Sequence, residues 1–260
     1  MAQEFHKYHG AGNDFIIIDN RQKSFQPDRD VIESLCRRKF GIGANGLMLL
    51  ENSEEADFYM RYFNSDGKES TMCGNGGRCM AAFAHDQGII GRKTRFMASD
   101  GPHDAEIRED GLVALKMRDV EQVETYGDHY FVDTGSPHYV SFVDDLAKVN
   151  VYEEGKKVRY DKSISEAGTN VNFVSFEKEG LISIRTYERG VENETLACGT
   201  GAVASAISAY LYSNTDKTSY TVNAMGGKLE VTFDPTGDSF TNVWLTGPAE
   251  FVYAGSIDVS

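Results

Sequence analysis

Two short stretches, far apart in this chain, share one sequence pattern. Residues 71–78 read TMCGNGGR and residues 195–202 read TLACGTGA. In each, a cysteine is followed by Gly-x-Gly and then by small and apolar residues at helical spacing. The pattern predicts that Cys73 and Cys198 each stand directly before a helix. A motif repeated in this way constrains the chain to a fold of two similar halves.

The rest of the chain predicts mainly strands, in a similar order in both halves. Alternating runs rich in β-branched and aromatic residues indicate them. We therefore predict the α+β class, with two halves that each pack a sheet around one central helix. The halves are expected at residues 1–120 and 121–260, with a soft boundary near 118–128. A further helix is expected at 27–39, and a solvated, acidic stretch at 149–165.

Charge and cysteine content exclude several classes of protein. The net charge of −14 argues against nucleic acid and anionic membranes as partners, because both require a basic patch. We expect neither a signal peptide nor a membrane span, since no apolar run is long enough. Four cysteines among 260 residues do not make a disulfide scaffold. These features predict a reduced, cytoplasmic protein.

The glycines beside each cysteine favour a reactive thiol next to an anion site. They leave the first N–H groups of the helix exposed, and such groups bind carboxylates. The positive end of the helix dipole also lowers the pKa of a thiol placed there. Bringing that pKa from ~8.5 to ~7 takes about 2 kcal/mol, and a helix terminus supplies up to ~2 kcal/mol.

Other interpretations of the cysteines are weaker. Cys73 and Cys79 are too widely spaced for the usual zinc-site pair, and there is no second pair. The glycine runs lack the Gly-Lys-Ser/Thr ending of a phosphate loop. A hydrolase that pairs Cys73 or Cys198 with His138 remains open but leaves the duplication unexplained. A Cys73–Cys198 disulfide would be unusual in the cytosol, and Cys36 is expected in the core.

The duplicated thiol fits the inversion of a carbon centre by proton transfer. That reaction needs a base on one face of the carbon and an acid on the other. Two thiols serve both roles if one is ionised, and a close pair tends to share one proton because two thiolates repel. Helix N-termini beside the thiols would bind the substrate carboxylate and stabilise its developing charge. This chemistry needs no pyridoxal lysine, and we expect no cofactor and no metal.

Several stretches together resemble the diaminopimelate epimerase family, in the family's order and over nearly the whole chain. Asn75 is informative, because the related proline racemases carry histidine at that place. The stretches that carry the resemblance are 9–15, 63–67, 73–79 and 188–190 continuing to 197–201.

The resemblance implies a cofactor-independent epimerase that interconverts LL- and meso-diaminopimelate on the way to lysine and peptidoglycan. It implies a β-barrel-like sheet around the helix of each half, a last strand that returns to the first half, and a homodimer. Cys73 and Cys198 would be the acid/base residues, and His138 and Glu188 would tune them. The positions that resemble substrate-binding residues are Asn13, Asn64, Gly74, Asn75, Asn170, Glu188, Arg189, Gly199 and Thr200.

The chain departs from the family pattern in a few places. Many members have asparagine where Ser136 stands and glutamine where Gly46 stands, and the segment from Glu188 to Cys198 looks a residue longer than in some members. Contacts at the distal end of the substrate are affected most, and Arg189 is the expected clamp for the distal carboxylate. A racemase for another amino acid, or a binding protein that has kept the cleft, are the competing hypotheses.

Overall fold

A computed structural model describes residues 2–258 and has a mixed β-sheet with few helices. The predicted α+β class is confirmed. The helices are α1 (Arg29–Cys36), α2 (Gly74–Asp86), α3 (Val151–Arg159) and α4 (Gly199–Ser213), with a short 3-10 helix at Leu146–Lys148. The strands are β1 (Ala2–Gly10), β2 (Asn13–Asp19), β3 (Gly46–Glu51), β4 (Phe58–Asn64), β5 (Glu69–Ser70), β6 (Lys93–Ala98), β7 (Gly101–Ile107), β8 (Val113–Lys116), β9 (Val123–Tyr126), β10 (His129–Asp133), β11 (Pro137–Phe142), β12 (Asn170–Lys178), β13 (Leu181–Glu188), β14 (Asn193–Thr195), β15 (Ser219–Ala224), β16 (Gly227–Thr236), β17 (Ser239–Gly247) and β18 (Glu250–Asp258).

The chain divides into two compact units. The first comprises Met1–Leu115 together with Gly247–Ser260, and the second comprises Lys116–Thr246. The division after Leu115 lies just before the expected boundary. The second unit ends at Thr246 rather than at residue 260, because β18 pairs antiparallel with β1.

The sheets of the two units have the same topology. In the first unit the strand order is β18, β1, β2, β3, β4, β6, β7 and β8. In the second it is β9, β10, β11, β12, β13, β15, β16 and β17. Along both orders the pairings are antiparallel except the third and the fifth, which are parallel. The units are therefore pseudo-symmetric in their internal pairing.

The parallel pairings explain where the helices lie in the chain, because parallel neighbours require a crossover connection. The helices α1 and α3 connect the first parallel pair of each unit, β2 to β3 and β11 to β12. The helices α2 and α4 connect the second pair, β4 to β6 and β13 to β15.

Each cysteine-bearing helix lies inside the sheet of its own unit. Every residue of α2 from Gly74 to Ala84 is buried, and the helix contacts β1, β2, β3, β7 and β18. The helix α4 contacts β10, β11, β12, β13, β15 and β16. A helix buried on all sides needs small residues to let strands approach, which explains the alanine and glycine content of both.

The helix α1 covers the opposite face of the first sheet. Ile32 and Leu35 of α1 pack in one cluster with Ile16 and Leu47 of the central strands. Those strands are buried on both faces, which explains their nearly continuous apolar sequence.

The stretch at 149–165 differs from its prediction. It contains α3, which Asn150 caps by accepting a hydrogen bond from the Glu153 amide at 3.2 Å. Gly155 is buried against Tyr187, so closely that a Cβ would lie 2.4 Å from Tyr187 Cβ. The stretch is not acidic either, because its basic residues slightly outnumber its acidic ones: Lys156, Lys157, Arg159 and Lys162 against Glu153, Glu154 and Asp161. The helix was missed because only Val151 and Gly155 are buried, which leaves little periodicity.

The predicted helix at 27–39 is shorter in the structure, because Asp28 caps α1 and the helix ends at Cys36. Within residues 2–258, no helix combines the length and apolar character needed to cross a membrane.

Candidate active site

Cys73 is the N-cap residue of α2, as its motif predicts. Its backbone is extended, its carbonyl accepts the amide of Gly77 at 2.7 Å, and its side chain makes no capping hydrogen bond. Cys73 is partly exposed, and Asn13 Nδ2 lies 3.9 Å from its sulfur. The thiol therefore stands at the positive end of a helix dipole, beside an amide donor.

A hydrogen-bonded chain orients the Asn13 amide. Asn45 Nδ2 donates to Asn13 Oδ1 at 2.8 Å, so the amino group of Asn13 points away from Asn45. Arg38 donates to Asn45 Oδ1 at 3.0 Å and pairs with Asp14, which also pairs with Lys7. Sequence reasoning missed Asn45 and Arg38, and their only signal was a position in the glycine-rich turn that follows α1.

Asn64 and Gly46 lie opposite each other where β3 and β4 pair. The Asn64 side chain is exposed and makes no hydrogen bond within residues 2–258, so it is available to a ligand. Gly46 has no room for a side chain, because a Cβ would lie 2.6 Å from both the Phe63 carbonyl oxygen and Tyr62 Cε2. The Tyr62 ring thus occupies the place where glutamine would begin.

The first turn of α2 holds a buried charge that the motif contains but that sequence reasoning left without a role. Arg78 is fully buried, and donates to the Gly74 carbonyl at 3.1 Å and to Asn75 Oδ1 at 2.8 Å. Asn75, a predicted substrate-binding residue, is itself buried.

Cys36 and Cys79 do not belong to this site. Both are buried free thiols, as Cys36 was expected to be. Burial raises the pKa of Cys36 to about 11 and that of Cys79 to about 12, so both stay protonated near neutral pH.

In the second unit Cys198 is the N-cap residue of α4. Thr200 Oγ1 lies 3.4 Å from Cys198 Sγ, and His138 Nε2 lies 2.9 Å from the same hydroxyl. Gly201 is required here, since a Cβ would lie 2.5 Å from Asn172 Oδ1 and 3.3 Å from His138 Cε1.

His138 is held neutral and in one tautomer. Burial, the largest cause, lowers its pKa to about 3. Asn172 Nδ2 donates to His138 Nδ1 at 2.9 Å, and Asn172 Oδ1 accepts from Thr186 at 2.9 Å. The remaining proton therefore sits on Nε2, facing the Thr200 hydroxyl. A hydroxyl that accepts from His138 can donate its own proton to the sulfur of Cys198.

Asn170 positions backbone rather than presenting a free amide. Its Oδ1 accepts the amide of Arg189 at 2.8 Å, and its Nδ2 donates to Ser136 Oγ at 2.8 Å and to the Pro137 carbonyl at 3.0 Å. Ser136 is thus a partner of Asn170.

Glu188 and Arg189 end β13 and begin the loop before α4. Burial raises the pKa of Glu188, and the hydroxyl of Thr195 opposes this by donating to Oε2 at 2.9 Å. Among the described residues 2–258, the Arg189 guanidinium makes one long hydrogen bond, 3.4 Å to the Gly168 carbonyl, which leaves most of its donors for a ligand. Among residues 2–258, no three His, Cys, Asp or Glu side chains cluster as metal ligands would.

Similarity to known proteins extends over nearly the whole chain. The sequence profile of the family described as diaminopimelate epimerase matches residues 5–123 and 130–252. A diaminopimelate epimerase of Flavobacterium psychrophilum is 51% identical over 98% of this chain and 100% of its own length. One from Chlorobaculum tepidum is 45% identical, over 95% of this chain and 98% of its own length.

Solved structures with much lower sequence identity share the fold. A phenazine biosynthesis protein of the PhzF family from Bacillus anthracis superposes with a TM-score of 0.79 at 15% identity, covering 100% of both chains. A hydroxyproline epimerase from Agrobacterium vitis gives a TM-score of 0.68 at 14% identity, covering 98% of this chain and 92% of its own.

Proposed function

The chain belongs to the diaminopimelate epimerase family, and from that premise we propose that it interconverts LL- and meso-2,6-diaminopimelate in lysine and peptidoglycan precursor biosynthesis. The observation that carries the proposal is the repeated placement of a cysteine as the N-cap of a buried helix. Binding alone would need neither thiol, whereas inversion of a carbon centre uses both.

In the proposed mechanism one sulfur is a thiolate and the other a thiol. The thiolate of Cys73 or Cys198 removes the α-proton, and the other thiol delivers a proton to the opposite face of the same carbon. The reverse reaction exchanges the roles. Amide groups at Gly74-Asn75 and at Gly199-Thr200 bind the α-carboxylate and stabilise the charge that spreads onto it. These steps use only groups of the protein, so we propose an enzyme without a cofactor.

We assign the remaining site residues by the hydrogen-bonding groups that their side chains can offer to a substrate. Asn13 and Asn64 offer amides, and Arg189 offers a guanidinium suited to the distal carboxylate. Glu188 is a partner for an ammonium group of the substrate, and its raised pKa falls again when that cation binds. Asn170 acts through the backbone of Arg189, to which it is bonded. His138 tunes Cys198 through Thr200.

We also propose that the two compact units are the two catalytic halves and that the enzyme is a cytoplasmic homodimer. Thiol catalysis requires reduced cysteines, which the cytoplasm maintains.

For the dimer, β18 exposes Phe251, Val252 and Tyr253 together, a patch that a second copy would cover. Analytical ultracentrifugation tests it, and a single species at the 28.8 kDa of one chain would refute the dimer.

The direct test is proton NMR of the reduced protein with LL-diaminopimelate in D₂O, without pyridoxal phosphate. We expect loss of the α-proton signal together with appearance of the meso isomer, and no change with protein alkylated by iodoacetamide. The departures at Gly46 and Ser136 concern the distal end of the substrate, so proline, histidine and glutamate are tested in parallel. Exchange with one of these alone would indicate a racemase of different specificity, and a folded, reduced sample silent with all would favour a binding protein.

A further inference from the structure

The two cysteine-bearing helices differ at the fifth residue after each cysteine. That residue is Arg78 in α2 and Val203 in α4, and both have 0% of their surface exposed. The two helices otherwise begin alike, with an extended cysteine as N-cap and a glycine directly after it. A buried charge therefore accompanies one thiol and has no counterpart at the matching position beside the other.

The guanidinium of Arg78 is held in the first turn of α2. It donates to the Gly74 carbonyl, to Asn75 Oδ1 and, at 3.5 Å, to the Pro248 carbonyl. Gly10 of β1 closes over it, since a Cβ there would lie 3.1 Å from the Asn75 carbonyl and 3.4 Å from Arg78 Nη2. Side chains of a helix point toward its N-terminus, which directs this charge toward the cysteine end.

The groups that accept these hydrogen bonds from Arg78, two backbone carbonyls and the Asn75 side-chain oxygen, are neutral. Within residues 2–258 no carboxylate forms an ion pair with it, although burying a charge without a counter-ion is strongly unfavourable. Burial lowers the pKa of Arg78, and the groups that oppose this are Cys79 and Cys73. Because Cys79 has its pKa raised to about 12, Cys73 is the partner that can become an anion.

Other ionisable groups around α2 do not replace this interaction. Tyr8 of β1 has its pKa raised by burial and donates to Asp86 at 2.6 Å, in the last turn of α2. Asp100, which directly precedes β7, accepts the Met72 amide at 3.2 Å and lies 3.2 Å from His103. Asp100 is an anion that disfavours a thiolate beside it, so it opposes the effect of Arg78.

Several charged groups on β1, β2 and β18, the strands packed around α2, have partners of their own. Lys7 of β1 pairs with Asp14 of β2, and His9 of β1 lies 3.8 Å from Glu250 of β18. His6 of β1, whose pKa burial lowers, packs against the Phe83 ring of α2. In the second unit His138, which contacts Thr200 beside Cys198, is kept neutral by burial and to a lesser extent by the charge of Arg189, and burial raises the pKa of Glu188. The Thr200 hydroxyl, which is neutral, lies 3.4 Å from Cys198 Sγ.

We propose that Arg78 is a positioning residue that stabilises Cys73 as the thiolate of the resting enzyme and leaves the single proton on Cys198. The unequal sharing of this proton between Cys73 and Cys198 follows from the residues around each cysteine and does not depend on a substrate. Its catalytic meaning rests on the proposed function: the free enzyme accepts the substrate isomer whose α-hydrogen faces Cys73, and after one turnover the proton must return before that isomer reacts again.

The test measures ionisation of each thiol without substrate, so it stands whether or not the protein is an epimerase. Alkylation by iodoacetamide is followed from pH 5 to 9 by mass spectrometry of the Cys73 and Cys198 peptides. Absorbance at 240 nm in Cys73→Ser and Cys198→Ser proteins checks the midpoints. Cys36 and Cys79 do not interfere, because the pKa of each is about 11 or above.

In the wild type we expect Cys73 to titrate at lower pH than Cys198. Arg78→Met should raise the Cys73 midpoint by about one to two pH units and slow its alkylation at pH 7 by roughly 10-fold or more, since an adjacent cation has effects of this size. Arg78→Lys should restore most of the difference. The control Arg95→Met removes an exposed charge from the same unit, one paired with Asp104, and should change neither midpoint.

An unchanged Cys73 midpoint in folded Arg78→Met protein would overturn the proposal. If that variant does not fold, the wild type still decides: a Cys198 midpoint below that of Cys73 contradicts it. A purely structural role for Arg78 would lower stability and leave both midpoints where they were.

Discussion

The two units place different chemistry on one backbone plan. At the first parallel pairing of each sheet, Phe15 faces Gly46 in the first unit and His138 faces Asn170 in the second. Two residues further along, Met48 of β3 and Asn172 of β12 occupy equivalent positions in the two units. Beneath the helices, the position of Gly76 lies against Met48 and Phe15, whereas that of Gly201 lies against Asn172 and His138.

The first turn of α2 therefore rests on apolar side chains, and that of α4 rests on a hydrogen-bonded chain. Thr186 donates to Asn172, which donates to His138, which in turn reaches Thr200 beside Cys198. In the first unit the polar support comes from the helix itself, as Arg78, and from the first residue of β2, Asn13. The repeated fold thus repeats the position of a thiol without repeating the groups that control its proton.

The largest expected effect tests whether the halves are equally necessary. Cys73→Ala and Cys198→Ala should each lower kcat for epimerisation by about 10³-fold or more, because each removes one of the two proton-transfer groups. The rate is followed by proton NMR in D₂O. Cys36→Ala, a buried cysteine outside both half-sites, should keep activity while losing some stability. A single variant at either site that retains a tenth of the wild-type rate would break the two-thiol mechanism.

A second prediction concerns the contrast between Gly46 and Asn170, which occupies the equivalent strand position in the second unit. Gly46→Ala should lower the free energy of unfolding by about 1–3 kcal/mol, because the backbone oxygen of Phe63 cannot move away from the new methyl group. Gly91→Ala is the matched control, since a Cβ at Gly91 meets nothing within 4 Å. Urea unfolding measures both, and equal stabilities of the two variants would show that Gly46 is not sterically required.

The third prediction concerns His138, whose counterpart Phe15 cannot titrate. With a pKa of about 3 in the folded protein, His138 stays neutral there while the unfolded chain takes up its proton below pH ~6.5. Stability should therefore fall as the pH is lowered from ~6.5, by about 2 kcal/mol at pH 5 from this residue. Urea unfolding at several pH values should show a flatter dependence for His138→Gln and the wild-type slope for His85→Gln. Parallel curves for all three proteins would contradict a buried neutral histidine.

The smallest expected effect probes the hydroxyl at the end of the polar chain. Thr200→Val should lower kcat roughly 5- to 30-fold, as expected for the loss of a single hydrogen bond to a thiolate. Thr232→Val, on β16 of the same unit, is the control and should leave kcat unchanged. A shift in KM alone would mean that Thr200 contacts the substrate and does not tune Cys198.

Local sequence signals were sufficient for the elements that bear the thiols. Both helices begin at the residues that their glycines indicated, and Cys36 is buried as its helical position required. The same signals failed for α3, where burial of Val151 and Gly155 leaves too short an apolar face to detect. The roles of Asn45 and Arg38 could not be predicted, because they reach Asn13 from a separate loop.

By itself, the sequence determined the α+β class, the pairing of two similar halves and the position of a cysteine at the start of each central helix. These follow from periodicity and from glycine at helix ends, which are properties of neighbouring residues. Only the tertiary structure decided that Tyr62 fills the space at Gly46 and that Arg78 is buried without a carboxylate partner among residues 2–258. Each of these depends on strands and loops distant in the chain, whose contacts no local pattern records.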